Sequence, residues 1–265
     1  MQRTDINYLT HSWNPIGMKC DPVSLGCANC WHLAMVKRFG LKNPGLREKE
    51  LTSPARLRKP AKIGGQFMGD LFHKDVPFEF IDKVMAVIAL CPQHEFYILT
   101  KRIERAKNYY SRPSVLQNTE FLRKSFPNVS PNLTLYWPFP NLYLGTSICT
   151  QAEADKNIPI LLSIPAAKRW VSVEPMLERI SLSDYMGRQY GIGDKIYPYS
   201  YLDWLVIGCE SGPHRRPCPI EWVENISEQC KAAGVKQWIK QLDLNGKCVE
   251  VITQFPEHLR IRERI

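Results

Sequence analysis

The sequence has no run of about 18 apolar residues, so no membrane-spanning helix is expected. Its first residues, Met1, Gln2, Arg3, Thr4 and Asp5, lack the basic-then-apolar order of a secretory signal, and a cytosolic location is the expectation. No internal repeat or low-complexity tract is visible. No G-x-S-x-G segment marks a hydrolase nucleophile, and the six histidines (His11, His32, His73, His94, His214 and His258) show no metal-ligand spacing. What is present is a chain of 265 residues, 44% hydrophobic and 23% charged, the balance of a globular protein able to bury a sizeable core. Disordered, collagen-like and coiled-coil classes are excluded on composition, and the length suits a single α/β domain covering residues 1–265.

The 35 basic residues outnumber the 26 acidic ones, and the excess is concentrated. Between Lys37 and Lys62 stand Lys37, Arg38, Lys42, Arg47, Lys49, Arg56, Arg58, Lys59 and Lys62, against only Glu48 and Glu50. Clustered cations attract polyanions by neutralising phosphates and releasing counterions, which suggests a nucleic acid or a phosphorylated substrate. An ordinary solvated loop is the other reading of the same stretch.

Nine cysteines are an odd count for a disulfide scaffold, so metal binding, catalysis or core packing must account for them. Cys91, Cys149, Cys209, Cys218, Cys230 and Cys248 are scattered, whereas Cys20, Cys27 and Cys30 form a C-x6-C-x2-C cluster. Thiolates are soft ligands that select zinc or iron-sulfur clusters, and three of them can hold three irons of a cubane while the fourth stays open. Pro22 and Gly26 allow the loop to bend around such a cluster. A zinc site completed by His32 or His11 is the alternative. Against zinc stand the lack of a second C-x2-C pair, a chain too large to need a metal staple, and the closeness of His32 to Cys30.

Short apolar segments alternate with helical patterns, the signature of βα units around a parallel sheet. Expected strands run over Lys62 to Met68, Glu95 to Leu99, Leu142 to Gly145, Arg169 to Val173, Trp204 to Gly208 and Lys236 to Ile239, with a seventh near His11 to Ile16. An amphipathic helix is expected from Trp31. Phe78, Ile81, Val84, Met85 and Ile88 form one helical stripe ended by Pro92. Another helix is expected from Pro219 to Ala233, with Gly234 beyond its end and Cys230 on its core face. Residues 37–62, 111–140 and 183–201 read as insertions, where function often sits.

Polar residues follow the strands: Gly69 and Asp70; Thr100, Lys101 and Arg102; Thr146 and Ser147; Glu174; Cys209, Glu210 and Ser211; Lys240 and Gln241. In a barrel, loops at the C-terminal strand ends converge on one opening, and chemistry collects there. Cys209 is either a hydrogen-atom donor or a small core residue.

Several segments, taken together, resemble a phage-associated radical-SAM-like family linked with a three-Cys-motif partner protein. They are S-W-N-P-I-G-M-K-C-D-P-V-S-L-G-C-A-N-C-W (Ser12 to Trp31), F-M-G-D-L-F-H (Phe67 to His73), F-Y-I-L-T-K-R (Phe96 to Arg102), L-G-T-S (Leu144 to Ser147), V-S-V-E-P-M-L (Val171 to Leu177), I-G-C-E-S-G (Ile207 to Gly212) and the pair Lys240 and Gln241. The resemblance implies a partial (β/α) barrel of six to seven parallel strands and a 4Fe-4S cluster on Cys20, Cys27 and Cys30. It also implies S-adenosylmethionine on the open iron, and an external electron donor. The first cysteine gap is longer than the usual C-x3-C-x2-C, and Asn29 stands where many members place an aromatic residue against adenine.

Within that resemblance the strand ends acquire expected roles. Gly69 and Asp70 would receive the SAM amino group, and Lys101 or Arg102 its carboxylate or a substrate phosphate. Thr146 or Ser147 would meet a ribose hydroxyl and Glu174 either ribose or substrate, with Glu210 and Ser211 near adenine. Glu174, Cys209 and Lys240 are the catalytic candidates. The expected substrate is a nucleic-acid base or its substituent, with Tyr185, Tyr190, Tyr197, Tyr199 and Tyr201 as stacking surfaces. A peptide or partner-protein substrate, and a zinc-stapled nucleic-acid-binding module without catalysis, are the competing readings.

Overall fold

A computed structural model describes residues 1–17, 20–40, 45–112, 136–186, 191–192, 195–196 and 201–265. Its strands are β1 (Gln2–Arg3), β2 (His11–Trp13), β3 (Lys62–Gly65), β4 (Glu95–Thr100), β5 (Leu142–Ile148), β6 (Lys168–Val173), β7 (Gly191–Ile192), β8 (Lys195–Ile196), β9 (Trp204–Gly208), β10 (Lys236–Leu244) and β11 (Lys247–Val249). Nine of them form one sheet in the order β1-β2-β3-β4-β5-β6-β9-β10-β11, and β7 pairs with β8 separately. The pairs β2–β3, β3–β4, β6–β9 and β9–β10 are parallel, while the edge pairs β1–β2 and β10–β11 are antiparallel. The protein is therefore α/β with a mostly parallel sheet, and the seven strands expected from the sequence are present in chain order. The antiparallel edges are too short to read from an apolar pattern.

The helices are α1 (Trp31–Phe39), α2 (Glu48–Leu51), α3 (Phe78–Leu90), α4 (Ile103–Tyr110), α5 (Gln151–Ser163), α6 (Ser183–Met186) and α7 (Ile220–Ala233). The chain divides into two compact units. The first comprises residues 1–21, 32–144 and 164–168, and the second residues 22–31, 145–163 and 169–265.

In the first unit, Trp13 meets Phe96 edge to face at 5.7 Å, and α3 buries Phe80, Ile81, Val84, Met85, Val87 and Ile88. Tyr109 of α4 donates to Asp82 Oδ1 at 2.8 Å, so the buried carboxylate of α3 has a partner. In the second unit, Trp170 and Trp204 stack obliquely at 5.5 Å, and β9 is buried along its whole length, as expected of an inner parallel strand. A Cβ on Gly145 would lie 2.5 Å from Trp170, so only glycine lets β5 approach that indole. Helix α7 starts after Pro219 and ends at Gly234 with φ 68, burying Val223, Ile226 and Cys230. Burial pushes the Cys230 thiol up to about 12.

Five strand ends differ from the sequence expectation: β2 stops at Trp13 rather than near Ile16, β4 takes in Thr100, and three others depart as follows. Strand β3 stops at Gly65 rather than Met68, because Gln66 takes φ 58 and its side-chain amide binds both the amide (2.8 Å) and the carbonyl (2.6 Å) of Ile16. Strand β5 runs on to Ile148, so Thr146 and Ser147 lie inside a buried strand and not after one. Small and β-branched polar residues fit a pleated ladder, which is why they misled as a strand end. Strand β10 continues to Leu244 through an irregularity between Ile239 and Gln241, which places Lys240 at a bulge within the strand.

Of the expected insertions, residues 37–62 carry α2 and a 3₁₀ turn at Pro54–Arg56, and residues 183–201 carry α6, β7 and β8. Lys42, most of the 111–140 insertion and Tyr190, Tyr197 and Tyr199 lie outside the described residues. Among the described residues, no helix is long and apolar enough to cross a membrane. Gly145→Ala is expected to lower unfolding stability by about 1–3 kcal/mol through overpacking against Trp170. Urea unfolding followed by tryptophan fluorescence checks this, and an unchanged midpoint would contradict it.

Candidate functional site

In the first unit, the chain leaving β3 turns at Gly69, whose φ of 103 excludes ordinary side chains, and delivers Asp70 to the end of β4. The Asp70 carboxylate accepts from Phe72 N (2.9 Å), Thr100 Oγ1 (2.8 Å), Lys101 N (3.1 Å) and Arg102 Nη1 (3.0 Å). The Asp70–Arg102 ion pair is largely buried, with 5% and 12% of the side chains exposed. Arg102 extends further, donating through Nη2 to Asp21 O at 2.8 Å and lying 3.7 and 3.8 Å from Cys20 Sγ. Burial works against the Arg102 charge, but Asp70 and Cys20 outweigh it and raise the guanidinium pKa. A cation beside a sulfur favours the thiolate, the form that ligates metals.

In the second unit, Leu25–Cys27 form a 3₁₀ turn that buries Cys27, and Cys30 N donates to Cys27 O at 3.2 Å. Ser24 Oγ and Cys27 Sγ stand 3.7 Å apart. This loop is fastened by Glu210, which follows β9 and is 5% exposed. Its Oε2 accepts from Asn29 Nδ2 at 3.0 Å and from the Arg216 amide at 2.8 Å, and its carboxylate pairs with the Arg216 guanidinium. Arg216 also donates to Leu25 O at 3.0 Å, and Asn29 to His214 O at 2.7 Å. Burial opposes the Glu210 charge, yet its bonds from Arg216 and Asn29 prevail and hold the carboxyl below the usual range.

Glu174 follows β6 and forms an ion pair with Lys240 at the β10 bulge. Burial disfavours the Lys240 ammonium, and Glu174 more than offsets this, raising its pKa. Ser147 Oγ donates to Glu174 O at 3.2 Å, and Thr146 is buried within β5. Gln241 Nε2 donates to Cys209 O at 2.6 Å. Cys209 itself is buried, its sulfur 3.7 Å from that of Cys248, and Ser211 is exposed.

The structure thus joins Asp70, Lys101 and Arg102 to Cys20, Glu210 to the loop of Cys27 and Cys30, and Glu174 to Lys240 and Ser147. None of the nine cysteines is in a disulfide. Among the described residues, no group of three or more His, Cys, Asp and Glu side chains is gathered as a metal ion requires. Sequence reasoning missed Arg216 and Cys248. The basic pair Arg215 and Arg216, shortly after Glu210 in a loop rich in turn residues, was the available signal for Arg216; Cys248 carried none.

A family model described as "Protein of unknown function (DUF5131)" matches residues 3–252. The chain belongs to the DUF5131 family. No curated protein and no solved structure matches it. The match takes in every candidate residue of this DUF5131 chain, from Cys20 to Gln241.

Two predictions follow from the ion pairs of the DUF5131 chain. Asp70→Ala leaves the Arg102 guanidinium buried without its carboxylate, and a loss of about 3–5 kcal/mol is expected in urea unfolding. A loss within error of zero would show the pair to be dispensable. For Glu210, a folded pKa below the unfolded value of about 4.3 gives stability present above that pH and lost as pH falls through the folded pKa. Glu210→Gln should therefore be less stable than the parent at pH 7, with the gap closing below about pH 4. Denaturation midpoints measured from pH 7 to pH 3 decide it, and a pH-independent gap would contradict the assignment.

Proposed function

We propose that this DUF5131 protein is a radical SAM enzyme on a partial (β/α) barrel, holding a 4Fe-4S cluster through Cys20, Cys27 and Cys30 and modifying a nucleic-acid base or its substituent. The observation that carries this reading is that the cysteine-bearing segments are each fastened by an ion pair with a buried carboxylate. Asp70–Arg102 serves Cys20, and Glu210–Arg216 serves the loop of Cys27 and Cys30. The donor set fits the group in kind: three thiols outside any disulfide, one of them beside a guanidinium that compensates negative sulfur. When bound, the cluster and SAM supply a 5′-deoxyadenosyl radical able to abstract hydrogen from an unactivated C–H bond.

The chain's own residues take the following parts. Both Asp70 oxygens are engaged by protein donors, so Asp70 acts as a positioning residue for Arg102, and the Gly69 backbone is what can approach the SAM amino group. Lys101 can hold the SAM carboxylate or a substrate phosphate, and the Glu174 carboxylate, paired with Lys240, can accept from ribose hydroxyls. Ser147, buried in β5, donates to the Glu174 carbonyl, and Thr146 is buried next to it in the same strand. Ser211 stands exposed in the bend after Glu210, where the backbone can meet adenine.

A polyanionic substrate is supported by the basic stretch. Lys37, Arg38, Arg47, Lys49, Arg56, Arg58 and Lys59 are exposed. The two acids among them are occupied elsewhere: Glu48 pairs with Lys83 at 2.8 Å and Glu50 with the Met1 amino group at 2.7 Å. The surface field is therefore more positive than the sequence count suggests. An external one-electron donor and a three-Cys-motif partner protein complete the reading.

Protein purified without oxygen and reconstituted with iron and sulfide is expected to be brown and, with dithionite, SAM and nucleic acid, to release 5′-deoxyadenosine. Cys20→Ala, Cys27→Ala and Cys30→Ala should each abolish the product. Colourless protein carrying about one zinc per chain, with intact SAM, would overturn the proposal. Modified peptide with unchanged nucleosides would move the substrate to the partner protein.

A further inference from the structure

Among the described residues, four of the six large apolar side chains that stand exposed, Val23, Leu25, Trp31 and Phe39, fall between residues 23 and 39. Two of them lie on α1, whose inner side buries His32 and Val36. At 3.6 residues per turn the opposite side carries Trp31, Ala34, Met35 and Arg38, with Phe39 at its edge. Trp31 is 51% and Phe39 59% exposed, and Ala34 and Arg38 are exposed as well. An outer helix face is ordinarily polar, so this one is unusual twice: it is apolar, and α1 contains no acidic residue. The Arg38 guanidinium stands over the Phe39 ring, 5.3 Å from its centroid.

We propose that this outer face of α1 is a platform on which the bases of an unpaired nucleic-acid strand stack, with Lys37 and Arg38 on its phosphates. The inference rests on the nucleic-acid substrate proposed above and narrows it to an unpaired strand. Rings and cations interleaved on one surface match a strand that offers base faces and phosphates in alternation. In a duplex the base faces are covered by their neighbours, so exposed aromatic side chains add nothing there to what the cations supply. Trp31 and Phe39 are eight residues apart in one helix, about 12 Å along its axis, a span that three or four nucleotides cover at about 3.4 Å each.

The cations alone have a structural use, since Lys37 and Arg38 in the last turn complement the helix dipole. That use leaves the exposed rings unexplained. A lipid surface would account for the rings, but interfacial helices segregate their cations to the face opposite the aromatics. Here Arg38 lies within the apolar face, over Phe39, and the other side of α1 is buried in the protein. The chain that follows is positive too: Arg47, Lys49, Arg56, Arg58 and Lys59 are exposed, while Glu48 is paired with Lys83 and Glu50 with the amino terminus. Their field favours a polyanion over an uncharged apolar partner.

The test measures, by fluorescence anisotropy over a range of salt, how the full reconstituted chain binds a labelled mixed-sequence oligonucleotide, unpaired or annealed to its complement. The unpaired strand should bind about tenfold tighter or more. Phe39→Leu keeps an apolar side chain but removes the ring, and should weaken that binding about tenfold, whereas Phe39→Tyr should keep it. Trp31→Leu should give a second loss, and Tyr136→Leu, at an exposed ring outside α1, none. Arg38→Gln should flatten the dependence of log K on log salt by about 0.7. Equal affinity for strand and duplex, binding indifferent to Phe39→Leu, or no binding to either nucleic acid would overturn the proposal. So would phosphatidylserine vesicles that capture the protein in place of the strand. Release of 5′-deoxyadenosine is measured on the same protein: release without strand preference removes the platform and leaves the radical chemistry, and strand preference with intact SAM does the reverse.

Discussion

A parallel sheet imposes one constraint on everything that follows its strands. Beyond the last ladder bond, backbone amides and carbonyls turn away from their neighbours, and where they are buried they need side-chain partners. In this protein Asp70 and Glu210 accept from such amides, and Gln66 and Gln241 donate to such carbonyls. Asp70 after β3, Glu174 after β6 and Glu210 after β9 are each placed just past a strand, and each is paired with a cation. The arrangement is costly to desolvate and adds little net stability over apolar packing, but it is intolerant of losing one partner. Its value is in placement. A guanidinium held by a buried carboxylate has few positions open to it, so whatever its outer face touches is placed as well.

That logic separates what was legible in the sequence from what was not. The strands were legible because Phe96, Ile98, Leu205, Val206 and Ile207 form short apolar runs with turn residues around them. The strand limits were not. Thr146 and Ser147 are polar, but they are small or β-branched enough to stay in a buried ladder, and Gln66 ends β3 through a positive φ that no pattern announces. The carboxylates were legible as polar residues after apolar runs, whereas their partners stood at no regular distance. Arg102 is 32 residues from Asp70, Arg216 only 6 from Glu210, and Lys240 as many as 66 from Glu174. Tertiary packing sets these separations, so a spacing rule could not have found them.

The same distinction governs charge. Counting Lys and Arg against Glu over residues 37–62 identifies a positive stretch, but a count treats each acid as cancelling a neighbour in sequence. Here Glu48 is used by Lys83 of α3, and Glu50 by the amino terminus and Ser53. Lys62 is withdrawn in turn by Glu95 at 3.0 Å. The exposed cations run from α1 through the 3₁₀ turn at Pro54–Arg56 and present positive charge to solvent.

Cysteine chemistry carries the argument to its limit, because eight of the nine cysteines fall into three groups. Cys91, Cys218 and Cys230 are buried among apolar atoms that disfavour the thiolate, so they act as small core residues. Cys20, Cys27 and Cys30 lie on segments fastened by ion pairs, one sulfur directly beside a guanidinium. Cys209 and Cys248 share one hydrogen bond, which lowers the pKa of the Cys248 thiol and raises that of Cys209. Spacing singled out only the first loop, since C-x6-C-x2-C is local. The Cys209–Cys248 pair is 39 residues apart and exists only because β10 brings β9 and β11 to its two sides. Reactivity in this chain is therefore a property of the sheet as much as of the residue, and a thiol's role follows from which charge or sulfur the fold sets against it.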